Sequence, residues 1–267
     1  MKQNYFNNSI GDMYSNIISY IKILLTKTII FKAIPKTNIH KFMLNAFLVF
    51  ALLAFQNNLF GQTTLITKRV ISSTDDAEEH GSDVATYGTV STNSTDLEIT
   101  EDFEPTSFGT QQIGMRFTNL NIPSGAVIQS AYITFRAITP DAPGNNSSTA
   151  NFTIKGQAIA DAPTFTTSAF NISSRTKTTA SQSWSPPTWT PGVNYNTSSL
   201  VSIVQEIVGI PGWAAGNDMV FIITGTGHRS AISFDGSALT APQLVVSYTL
   251  PPPISLSTSV TNAVCPG

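Results

Sequence analysis

From Thr63 to Thr249 the chain repeats one local pattern that leaves few folds open to it. Segments of strand length, rich in Val, Ile, Thr, Phe and Tyr, alternate with short turn clusters. Leu65 to Ile71, Gln112 to Phe117, Ala126 to Ala137, Asn151 to Ala158, Met219 to Thr224 and Gln243 to Leu250 are such segments. In Ala131 to Ala137 the residues at 131, 133, 135 and 137 are apolar and share one face, while Tyr132, Thr134 and Arg136 share the other. Pro123-Ser124-Gly125, Asp141-Ala142-Pro143-Gly144 and Asp235-Gly236 punctuate the runs. Short intervals of this kind predict an all-β fold, an antiparallel β-sandwich of jelly-roll type, rather than alternating β and α units. One stretch departs from the pattern. In Ser199 to Ile210 the residues Leu200, Ile203, Val204, Ile207 and Val208 form a helical stripe, with Thr197 or Ser198 to cap it and Gly209 and Pro211 to end it. One short amphipathic helix is therefore expected over an end of the sandwich, with Trp213 folded back into the core.

The ends of the chain read differently. Residues 44 to 55 are an uncharged apolar run of secretory length behind Lys36 and Lys41, and small Gly61 precedes Gln62 at a cleavage point. Residues 1–61 are thus expected to be a leader with a signal peptide, and an uncleaved anchor helix is the other reading of so short a run. Six lysines against Asp12 give the leader a charge of +5, whereas the remainder holds 8 Lys and Arg against 15 Asp and Glu, or −7. An acidic body lacks the basic face that phosphate neutralisation needs, so nucleic acid is excluded as a partner. The only cysteine is Cys265, so an exported body at 62–250 holds itself together without an internal disulfide. Pro251-Pro252-Pro253 opens a stiff linker, and 251–267 reads as that linker plus the start of a truncated following module. The expected location is secreted or on the cell surface, with no membrane segment in the mature body.

Three stretches together resemble a known group. They are Ser72 to Glu79; Ile113 to Phe117 with Ile128 to Phe135; and Leu200 to Trp213 with Ser233 to Gly236 and Ala241 to Tyr248. They are similar to the jelly-roll modules of the DNRLRE-type group, which resemble carbohydrate-binding modules beside polysaccharide lyases and in surface proteins. The group's self-named motif is not present as such. The tail from Ile254 to Gly267 is similar to the opening strand of repeats in large surface adhesins of gliding bacteria. The resemblance implies a polysaccharide or surface glycan as partner and further modules of the same parent chain downstream.

The candidate chemistry is sparse. Asp75, Asp76, Glu78 and Glu79 form the densest acidic cluster, followed by Asp96, Glu98, Glu101, Asp102 and Glu104. Carboxylate-rich loops of extracellular modules hold Ca2+ weakly, so a structural calcium site at 75–79 is one expectation. The other is that these are solvated loop charges, one or two of them paired with Arg116, Arg136 or Arg229. Trp184 and Trp189 flank Ser185-Pro186-Pro187-Thr188, a stiff segment able to hold two flat rings for stacking on a sugar. The same rings would equally serve to plug the sandwich. The body offers only His80 and His228 for acid–base work, with no nucleophile elbow and no zinc-protease motif. Gly225 to Ser230 reads as a hairpin turn between strands. A non-catalytic carbohydrate-binding or adhesion module is expected, with a purely structural, calcium-stabilised spacer or cap as the alternative. A hydrolase comes third, and it requires His80 or His228 within hydrogen-bonding reach of a carboxylate inside a pocket.

Overall fold

The computed structural model describes residues 62–103, 108–140 and 146–251. Residues 1–61, expected to be a leader with a signal peptide, and the segment 252–267, including Cys265, lie outside them. Among the described residues no helix is long and apolar enough to cross a membrane.

The body is an antiparallel β-sandwich, as the alternating pattern predicts. One sheet has the order β1 (Thr64–Arg69), β13 (Gln243–Thr249), β7 (Val127–Arg136) and β10 (Asn194–Asn196). The other runs β3 (Val90–Ser91), β2 (Asp76–His80), β6 (Gly109–Phe117), β11 (Met219–Thr226), β8 (Asn151–Gln157) and β9 (Lys177–Trp184), with β5 (Glu101–Asp102) also paired to β6. The pairing of β1-β13-β7-β10 with β6-β11-β8-β9 is the strand order of a jelly roll. A third, two-stranded sheet joins β4 (Asp96–Ile99) to β12 (Arg229–Ile232), and an isolated bridge between Ala137 and Ala231 ties it to β7.

The period-2 alternation decides which residues meet between the sheets. Ile133, Phe135, Leu244 and Val246 point in from the first sheet, and Ile113, Met115, Phe117, Phe152, Ile154, Phe221 and Ile223 from the second. The helix α1 (Val201–Val208) packs Ile203, Val204, Ile207 and Val208 onto this core. It is shorter than the stripe suggested. Leu200 occupies the N-cap without a side-chain bond, because Thr197 Oγ1 instead accepts from the Ile133 amide of β7. Trp213 is buried, and its Nε1 donates to the Ile122 carbonyl.

The second sheet is covered on its outer face as well. The segment from Ala158 to Thr176 folds across it and buries Phe165 and Ile172 against Ala77, Val220 and Ile222. Glu79 Oε2 accepts from the Ile172 and Ser173 amides at 2.7 and 2.9 Å, and Arg175 lies 4.3 Å from the centre of the Phe165 ring. Gly114 is what lets the ring approach, since a Cβ there would meet Phe165 Cζ at 2.4 Å. Gly114→Ala is therefore expected to cost about 1–3 kcal/mol by overpacking. It should also make the 158–176 segment the first site of limited proteolysis, and unchanged cleavage kinetics would contradict this packing.

Gly225 to Ser230 does not form a hairpin. β11 and β12 part company there, and β12 pairs with β4 in the third sheet. Gly227, at φ 84°, passes so close to β8's approach that a Cβ would sit 2.3 Å from the Thr149 carbonyl oxygen. The glycines serve a change of sheet, which is why the local sequence mimics a simple turn.

Candidate functional site

The two tryptophans are side by side but internal. Trp184 ends β9 and is 4% exposed; Trp189 is 2% exposed. Their ring centres are 6.0 Å apart, and Trp184 stacks on Phe135 at 5.8 Å while Trp189 stacks on Tyr195 at 5.2 Å. The stiff Ser185 to Thr188 segment is held from beneath by buried Arg229, which donates to the carbonyls of Pro186, Pro187 and Ser148. The expected ring platform is thus a core plug, because two large apolar surfaces gain more from Phe135 and Phe152 than from water.

The acidic run is also turned inward. Asp75 pairs with Arg116 at 2.7 Å, and the same guanidinium reaches Asp218. Asp76 Oδ2 accepts from the Phe234 amide, and burial raises its carboxyl to about 7. Glu78 and Glu79 lie on opposite faces of β2, Glu79 holding the 158–176 segment and Glu78 facing β4. Strand alternation therefore parts Glu79 from Asp76 and Glu78, and Asp75 precedes the strand and is held by Arg116, so the four side chains proposed as calcium ligands are divided among different partners. Among the described residues no three His, Cys, Asp or Glu side chains are arranged to hold a metal ion. Nor are these solvated charges. Arg116 is the arginine that pairs with them, while Arg229 bonds only to carbonyls and Arg136 has no described ion pair.

A different cluster forms where β2, β4, β5 and β6 meet. Glu78 Oε1 accepts from the Glu98 amide at 2.8 Å and from Gln111 Nε2 at 3.1 Å. Glu98 Oε2 accepts from the Phe103 amide, and the carboxyl shares a further hydrogen bond with Asp102. Burial, then the Asp102 contact, pushes the Glu98 carboxyl up to about 9; burial pushes Glu78 up to about 8. Among the described residues neither has a cationic partner, so both are neutral acids at pH 7. Thr100, a β-branched residue at φ 70°, turns the chain from β4 into β5 in a single residue and so brings Glu98 and Asp102 together.

Both histidines border this cluster. His228 Nδ1 lies 2.8 Å from the Glu101 carbonyl, which can only accept, so the proton is on Nδ1 and Nε2 accepts from Ser230 Oγ at 2.7 Å. Burial lowers the His228 pKa and keeps the ring neutral. Its Nε2 is 4.0 Å from Glu98 Oε1, and His80 Nε2 is 3.7 Å from Asp102 Oδ2. Both spacings exceed a hydrogen bond. Beside the cluster a cleft of about 230 Å³ opens to solvent, lined by Asp83, Glu101, Asp102, Phe103, Phe108, Gly109 and Thr110. The Phe108 ring is 60% exposed and meets Phe103 edge-on at 5.3 Å. Exposed Asp83 accepts from the Thr110 amide, and its bonds to Thr110 lower its pKa, so it is a fixed anionic acceptor on the rim.

No family model matches the chain, and no curated protein matches it. Of the cleft residues, Glu101 and Asp102 were within the sequence's second acidic stretch, but nothing in that stretch pointed to Phe108 or Asp83. Their meeting depends on β5 and the 81–89 loop flanking β6, a long-range arrangement that local spacing does not encode.

Proposed function

We propose that the body is a non-catalytic carbohydrate-binding or adhesion module of a secreted or cell-surface protein, and that the cleft beside β5 and β6 is where it meets a sugar. The observation that carries this is the pairing of an exposed aromatic wall, Phe108 against Phe103, with the carboxylates of Asp83 and Asp102. A ring's C–H face packs on the phenyl, while the carboxylates accept from its hydroxyls. At about 230 Å³ the space suits one ring-sized group rather than a long buried chain. The histidine distances favour binding over hydrolysis, since neither ring is oriented by a carboxylate within hydrogen-bond range.

Retention of the purified protein on immobilised neutral and acidic polysaccharides, with calcium or with chelator, tests this. Phe108→Ala is expected to weaken retention on the preferred glycan by about tenfold or more. Binding that Phe108→Ala leaves unchanged would place the sugar elsewhere. The second reading, a structural spacer or cap, is favoured by the burial of Trp184, Trp189 and the 75–79 carboxylates. It requires no retention on any glycan, and if calcium is the stabiliser, chelator lowers the melting temperature.

A further inference from the structure

The outer face of the first sheet carries two arginines that the acidic body leaves uncompensated. Arg69 of β1 stands opposite Gln243 of β13, Gln243 stands opposite Thr134 of β7, and Arg136 of β7 stands opposite Asn194 of β10. Arg69, Thr134, Arg136, Asn194, Thr240 and Gln243 together line a cavity of about 50 Å³. Arg69 Nη1 donates to the Ala241 carbonyl, and Arg136 Nη1 to Asn194 Oδ1 at 3.4 Å. A guanidinium has five donors, so most of those on each arginine remain available. Among the described residues neither is in an ion pair; the arginine that is, Arg116, belongs to the other sheet. Burial without a carboxylate nearby also lowers the pKa of Arg69, which marks its charge as one that a bound anion would stabilise.

We infer that Arg69 and Arg136 form an anion subsite that takes one carboxylate or sulfate group. Two guanidinium forks match the oxygens of such a group, and the hydroxyl of Thr240 and the amides of Gln243 and Asn194 supply neutral donors around it, the Thr134 hydroxyl being already given to Asn196 Oδ1. The size decides the class. A space of about 50 Å³ exceeds the roughly 10–15 Å³ that one water molecule needs and admits an oxyanion, but it is far smaller than the cleft beside Phe108 that suits a ring-sized group. The group arrives either as a free anion or as the substituent of an acidic polysaccharide whose rings stay outside. This subsite lies on the sheet opposite the Phe108 cleft and does not depend on it.

The test uses sodium sulfate, sulfated dextran, polygalacturonate and unsubstituted dextran as probes at about 0.1 M salt, where long-range attraction between exposed charges is already largely screened. Arg69→Gln and Arg136→Gln are each expected to weaken binding to the charged probes about tenfold or more. Lys155→Gln on β8 of the other sheet, which removes the same unit of charge, is expected to leave binding within twofold. Melting curves close to wild type establish that the variants fold. Saturable binding of sulfate without retention on the polymers supports the subsite with a free anion as its ligand; retention on either polymer beyond plain dextran supports the substituent. No binding of sulfate, sulfated dextran or polygalacturonate by wild type, or equal weakening by Lys155→Gln, overturns the inference. Phe108→Ala separates the two sites, since it should leave the binding of free sulfate unchanged.

Discussion

Trp184→Ala is expected to destabilise the body by about 3–5 kcal/mol, the range for removing a large aromatic from a packed core. For a domain of 150–250 residues this corresponds to a fall in melting temperature of about 6–20 °C. The cost is that large because the indole is flanked on three sides, by Phe135 in a stack, by Phe152 edge-on and by Trp189. A surface platform would behave otherwise, with a change within about 0.5 kcal/mol. Trp189→Phe should be milder. The Trp189 indole nitrogen is buried without a hydrogen-bond partner, so the substitution removes an unsatisfied donor along with part of the ring. Urea unfolding followed by far-UV circular dichroism measures both, and a Trp184→Ala midpoint equal to wild type would return the ring to the surface.

Stability is expected to fall as the pH rises from about 5 to 9. In the folded chain Glu98 keeps its proton to about 9 and Glu78 to about 8, whereas unfolding returns both to an ordinary glutamate value near 4.5. Over that window the folded state holds more protons than the unfolded one, so each rise in pH favours unfolding. The contribution of these acids is complete below the unfolded value and is lost as pH climbs toward the folded values. One fully retained proton corresponds to about 1.4 kcal/mol per pH unit. Asp96 and Asp102 oppose ionisation of both acids, while His228, held neutral by burial, acts in the opposite sense below its ordinary value of 6.5, where one proton against two still leaves the slope downward. Glu98→Gln preserves the shape of the neutral acid and should flatten the slope, leaving the variant more stable than wild type at pH 9. Urea midpoints at pH 5, 7 and 9 give the comparison. A wild-type midpoint that holds steady or rises would mean that Glu98 is ionised.

The sheet faces were legible in the sequence because a period of two survives any tertiary context. Ala131 to Ala137 and Gln243 to Thr249 alternate inward and outward as written. Met219 to Ile223 was readable as a strand but not as one buried on both sides; its unbroken apolar run is the mark of a sheet covered by the 158–176 segment. The acidic run at 75–79 misled for a related reason. Five charged or small residues in a row look like a loop, but a short turn at Asp75 and then β2 lay them against and into the sheet, where Arg116, backbone amides and raised carboxyl pKa values make their burial tolerable. The tryptophans gave no sign of depth, since a proline-stiffened aromatic pair has the same local sequence whether it faces a ligand or Phe135. The cleft and the arginine pair were illegible altogether, because each is assembled from residues distant in the chain whose register only the folded sheets define.

The pairing of β1 with β13 has a mechanical corollary. Thr64 lies opposite Tyr248, so the polypeptide enters and leaves the body at the same end of one ladder. Tension applied between residues 62 and 251 would peel these two strands apart one hydrogen-bonded pair at a time, instead of shearing the whole ladder at once. Such a domain yields at low force when it carries load in series with its neighbours. It is better suited to a lateral or terminal position, where pulling force does not run from one of these strands to the other.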